Sequence, residues 1–138
     1  MGRILSFDYG LKRTGVAVTD PGKIIAQGLT TVKSGEIWDF IDGYFKSETV
    51  DRFVVGDPKN LDGSPNEIST KVDQFIGALK KKYPLIPVSS IDERFTTVIA
   101  QKTLLASGAG RKKRGDKGLT DKISATILLQ SYLESVRV

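Results

Sequence analysis

The chain has 138 residues, with 21 Lys and Arg against 16 Asp and Glu, a formal net charge of +5, and neither cysteine nor histidine. That length suits one domain with a real core. The two missing residue types exclude disulfides, thiolate or imidazole metal sites, and Ser-His-Asp or Cys-His catalysis, so any acid–base or metal chemistry rests on carboxylates, lysines, tyrosines or hydroxyls.

Residues 3–8 open as a buried strand, with Ile4, Leu5 and Phe7 apolar, but Asp8 stands where another apolar residue is expected. Tyr9-Gly10 and the basic turn Lys12-Arg13 follow, then a second strand over 15–19. After the turn Asp20-Pro21-Gly22 a third strand spans 24–32, weakened by Gly28. Connections this short predict an antiparallel meander. Ile37, Phe40, Ile41, Tyr44 and Phe45 recur at helical spacing. A fourth strand fits 52–56, a helix fits 67–83 and a fifth strand fits 86–91. The lysines at 80–82 complement the dipole of the helix they end, a structural role. Two further helices fit 96–107 and 120–136. This order predicts a mixed α/β sheet with helices on its faces.

The stretch GRKKRGDKG at 110–118 sets Arg111, Lys112, Lys113, Arg114 and Lys117 against Asp116, a net +4 that leaves +1 for the rest of the chain. The basic segment, about 108–118, reads as a flexible loop for a polyanion or as a solvated surface. No run approaches the roughly 18 apolar residues of a membrane span, and Asp8 interrupts what would be a signal sequence. Gly2 fits a myristoylation pattern, but entry into the first strand explains those residues better. The expected location is cytoplasmic.

Three carboxylates stand out. Asp8 ends the first strand, Glu93 follows the last, and Asp121 lies at the start of the most apolar helix, on a stripe with Ala125, Leu128 and Tyr132. Carboxyl ends of parallel strands open onto a common crevice where ligands bind. Three acids meeting there would repel one another, and a hard divalent cation, Mg²⁺ or Mn²⁺, would relieve that. Each acid also has a structural explanation. Thr120 can cap a helix with Asp121 in its first turn, Asp8 can be a turn residue before Gly10, and Glu93 can pair with Arg94.

Four segments, FDYGLKRTGVAVTD, VVGDPKNLDGS, DERFTT and TDKISATILLQSYLES, in that order across the length, resemble the YqgF (RuvX) family of Holliday-junction-resolvase-like proteins. The family is RNase H-like. The resemblance implies one such domain over 1–138, with a five-stranded mixed sheet, three strands antiparallel and then two parallel, flanked by helices. It implies a metal-dependent phosphodiesterase site whose catalytic and metal-binding triad maps to Asp8, Glu93 and Asp121. Two-metal hydrolysis would use Asp8 as the bridge, and Gly10 would leave room for a phosphate. Lys12, Arg13 and Arg94 are the candidates for gripping flanking phosphates, with the loop cations beside them.

The implied activity is an endonuclease on structured nucleic acid, with the 5′ end of precursor 16S rRNA favoured and branched DNA, a four-way junction, the alternative. A non-catalytic RNase H-like binding factor is a third reading. A junction resolvase working alone needs a homodimer, whereas a processing nuclease can act as a monomer. Asp57 departs from the family's apolar residue between Gly56 and Pro58, and it reads best as a turn residue.

Overall fold

The computed structural model describes residues 2–58, 66–92 and 117–136, and only the backbone of residue 92 and of residues 117–121. Strands β1 (Arg3–Tyr9), β2 (Arg13–Thr19) and β3 (Ala26–Lys33) form the expected meander. Helix α1 (Ile37–Phe45) leads to β4 (Val50–Asp57), α2 (Glu67–Lys82) to β5 (Val88–Asp92), and α3 (Lys117–Val136) closes the described chain. The sheet order is β3-β2-β1-β4-β5, with β4 parallel to β1 and β5 parallel to β4. The mixed five-stranded sheet read from the sequence is therefore present.

Strand alternation divides the core between two faces. Leu5, Phe7, Val16, Val18, Phe53 and Val55 face one way and bury Ile37 and Ile41 of α1 with Val72, Phe75 and Leu79 of α2. Aromatic edges fill that layer, Phe7 meeting Phe75 at 5.5 Å in a T-shape. Ile4, Ala17 and Val54 face the other way and pack under Ala125, Leu128, Leu129 and Leu133 of α3. Ala17 and the adjacent Gly28 keep that surface low. A Cβ on Gly28 would come within 2.9 Å of Lys122 Cγ and 3.1 Å of Thr126 Oγ1. The glycine that weakens β3 as a strand is what lets α3 lie close on it.

Helix α2 begins with a capping box: Asn66 Oδ1 accepts from the Ser69 N–H and Ser69 Oγ accepts from the Asn66 N–H, each at 2.8 Å. At its other end Lys82 donates to Asp42 of α1 at 3.3 Å, and the Tyr83 hydroxyl donates to the same carboxylate. The lysine triplet thus does more than complement a dipole, since Lys82 also lies 5.1 Å from the centre of the Trp38 ring.

Several element boundaries differ from those read in the sequence. Ile24 and Ile25 belong to the β2–β3 turn, because Asp20 Oδ1 accepts from both their N–H groups at 2.8 Å and Lys23 adopts φ 59°. Ile86 closes a turn onto the Tyr83 carbonyl, so β5 starts two residues later than the apolar run does. Helix α3 starts at Lys117 rather than at residue 120. The helix expected at 96–107 and the loop residues 110–116 lie outside the described residues. Among the described residues no helix is long and apolar enough to cross a membrane.

Candidate active site at the carboxyl edge of the sheet

Asp8 lies inside β1, paired in register with Gly15 of β2, so it is a strand residue and not part of the turn before Gly10. It shares a sheet face with Ile4 and Ser6, and the Ser6 hydroxyl donates to the Ala125 carbonyl of α3 at 3.1 Å. On the other side β4 runs parallel, with Phe7 level with Val55, so Gly56 comes level with Asp8. Asp8 is therefore level with a glycine on each neighbouring strand.

Helix α3 runs antiparallel to β1 across this face. Ile4 lines a cavity of about 310 Å³ with Tyr132, Leu133 and Val136, while Ser6, two residues on, meets Ala125. Asp8 lies farther along β1 and Asp121 farther back along α3, toward the same end of the sheet. Because α3 begins at Lys117, Asp121 sits in the second turn and Thr120 is not its N-cap. Capping and the helix dipole no longer account for an acid at this position. Glu93 and Arg94 lie outside the described residues. Glu93 follows Asp92, the last residue of β5, and Ile91 of that strand packs against the α3 layer.

Asp57 ends β4 on the opposite parity, with Phe53 and Val55, the face covered by α1 and α2. It is level with Asp92 of β5. Asp57 and Asp8 thus stand on different faces of the sheet, which agrees with reading Asp57 apart from the acidic trio.

The turn after β1 carries Lys12, which is exposed, and Arg13, half-buried, opens β2. Gly10 is required by the turn itself: a Cβ there would sit 2.5 Å from the Arg13 carbonyl oxygen. That steric demand accounts for the glycine. Ser34, buried just after β3, holds this turn from behind. Its hydroxyl donates to the Gly10 carbonyl, its N–H donates to the Lys12 carbonyl at 3.0 Å, and Thr14 Oγ1 lies 2.9 Å from its oxygen. With the single Ser34 proton given to Gly10, Thr14 must be the donor to Ser34. No pattern in the sequence signals this chain of hydroxyls, because it joins residues of three separate elements. Lys117 is the first residue of α3, and Arg111, Lys112, Lys113 and Arg114 lie outside the described residues.

A family model described as RuvX, Holliday junction resolvase, matches residues 2–135. The chain belongs to the RuvX family. Relatives from Bacteroides fragilis and Phocaeicola vulgatus, each named "Putative pre-16S rRNA nuclease", are 49% and 52% identical over 138 and 135 residues. They cover 100% and 98% of this chain and 100% and 97% of their own lengths. Among solved structures, Thermus thermophilus RuvC in complex with a Holliday junction substrate superposes with a TM-score of 0.59 at 15% identity, over 99% of this chain and 96% of that one. At that identity the likeness speaks for the RNase H-like fold, which this RuvX chain shares.

Proposed function

We propose that this RuvX protein is a divalent-metal-dependent endonuclease, a single RNase H-like domain that processes the 5′ end of precursor 16S rRNA. The observation that carries the reading is the place of Asp8. A carboxylate stands on a central strand, level with Gly15 and Gly56, on the face covered by α3. The RNA substrate follows the names of the full-length relatives.

The donor set fits a hard cation, since every candidate ligand is a carboxylate and the chain has no His or Cys. Asp8, Glu93 and Asp121 would hold Mg²⁺ or Mn²⁺. Bound there, the cations supply an activated water and neutralise charge on the phosphate. Asp8 contributes a ligand whose position is set by strands on both sides, because a metal site needs rigid support. Lys12 and Arg13, on a turn fixed by Ser34, would hold phosphates flanking the cleaved bond, with Arg94 and the loop cations as further contacts.

Asp8→Asn and Asp121→Asn should each reduce cleavage by on the order of a thousandfold or more, the loss of several kcal/mol of transition-state stabilisation. The assay is sequencing of the ends produced from a precursor 16S rRNA fragment in Mg²⁺, with a four-way DNA junction as the competing substrate. Undiminished cleavage by either variant would remove that residue from the site. Cleavage of the junction and not the RNA would move the activity to DNA, the substrate in the family model's description. Binding without cleavage of either by the unaltered chain would favour the non-catalytic reading.

A further inference from the structure

We propose that Trp38 and Lys81 form a second nucleic-acid contact, which takes an unpaired nucleotide of the substrate on the α1–α2 side of the sheet. The inference rests on the nuclease reading above and adds a requirement to it, a single-stranded stretch beside the cut.

Trp38, the one tryptophan of the chain, is the second residue of α1 and only half-buried. With Ala78, Lys81 and Lys82 of α2 it lines an open cavity of about 530 Å³, within the size range of ligand pockets. An indole surface in such a place suits a base of any identity, because every base has a π-face to stack. Lys82 is already committed, since it donates to Asp42 at 3.3 Å and its ammonium lies 5.1 Å from the centre of the Trp38 ring. Lys81 is not. Among the described residues neither Lys81 nor Lys71 has an ion-pair partner, and both are exposed. Lys71 stands seven residues before Ala78, on the same line of the helix and about two turns nearer the carboxyl edge of the sheet. Glu36 and Asp39, both exposed, flank Trp38 on its own side. They repel phosphate, so a nucleic-acid backbone finds its complementary charge along α2.

The cavity is connected to the candidate site. Tyr9 directly follows Asp8 and packs on the opposite face of the sheet, in the α1–α2 layer. Its ring stacks on Phe75 at 4.6 Å, and Phe75 meets Trp38 at 5.4 Å. Ser34, four residues before Trp38, is bonded to the carbonyls of Gly10 and Lys12. A row of aromatic rings therefore leads from the residue after Asp8 to the cavity, with the Lys12 turn at its head. A strand held at Lys12 has only the rim of the sheet to cross before a base meets Trp38. A duplex cannot make this contact, because its bases are stacked on one another and offer no face to the indole.

Trp38 also fastens α1 to α2 through Phe75, so the test keeps the indole and uses it as the reporter. The Asp8→Asn protein, which should not cut RNA, is titrated with a single-stranded oligoribonucleotide, an abasic strand of the same length and a blunt-ended RNA hairpin. The single strand should quench Trp38 emission, whereas the other two should bind through phosphates without quenching it. Lys81→Glu, at an exposed position, should weaken single-strand binding by on the order of tenfold. Emission that is unchanged at saturation overturns the proposal, and so does equal quenching by the abasic strand. Single-strand affinity unaltered by Lys81→Glu, or no binding of the single strand at all, overturns it as well. Cleavage of the precursor 16S rRNA fragment by the unaltered chain, measured alongside, keeps the two readings apart: a cut without quenching removes this contact alone.

Discussion

Asp8 and Asp57 show how one strand's parity assigns chemistry. Both are aspartates at the carboxyl ends of adjacent parallel strands, yet Asp8 is level with Gly56, one residue short of Asp57. That single step puts them on opposite faces of the sheet. Asp57→Asn should therefore change the cleavage rate by less than about tenfold, or about 1.4 kcal/mol in barrier. Single-turnover rates for Asp57→Asn and Asp8→Asn, measured side by side, decide it. An Asp57 effect as large as that of Asp8 would mean the site reaches around the end of the sheet. Asp8 was legible in the sequence because an acid in a run of buried apolar residues breaks the pattern. The glycines on both sides of it were visible as residues but not as neighbours, since register is a tertiary fact.

At the level of elements, the sequence is a good guide where a period is long and a poor one where a single side chain redirects the backbone. Ile37, Phe40, Ile41, Tyr44 and Phe45 mark α1, and Val72, Phe75 and Leu79 mark the buried face of α2. The start of β3 falls later than its apolar run suggests because Asp20 captures the N–H groups of Ile24 and Ile25, and hydrophobicity alone does not reveal such a turn. The contact between α1 and α2 through Asp42 is also hidden, because Asp42 and Tyr83 are 41 residues apart. The Tyr83 hydroxyl, then Lys82, hold the Asp42 carboxyl below its usual range, and burial followed by that same carboxylate pushes Tyr83 upward. A carboxylate held low when folded contributes stability above its unfolded pKa of about 3.9 and loses it as pH falls through the folded value. Asp20 and Asp51 are held low as well, by backbone N–H groups and by Lys23 respectively. The native chain should thus lose some thermal stability as pH falls below about 4. Asp42→Asn, which keeps an acceptor for Tyr83 but no charge, should fall less steeply over that interval. Fluorescence of Trp38, the one tryptophan, follows the transition. Parallel pH profiles for the two proteins would show that Asp42 takes no part in it.

Across the whole molecule, positive charge and the candidate site converge. The chain carries +5, of which the nine residues 110–118 hold +4, and that segment runs directly into α3. Lys117 opens the helix, and Asp121 follows one turn later. A run of cations entering the helix that carries a proposed metal ligand would bind the phosphate backbone near the cut without reading bases. Replacing Arg111, Lys112, Lys113 and Arg114 with glutamine should weaken binding to a similar degree for RNA fragments of different sequence. It should flatten the salt dependence by up to about 0.9 log units per log unit of salt for each duplex phosphate no longer neutralised. Turnover at saturating substrate should change far less, because no carboxylate of the trio is altered. An unchanged salt slope in the quadruple variant would reduce the segment to a solvated surface, and the substrate grip would then rest on Lys12, Arg13 and Arg94.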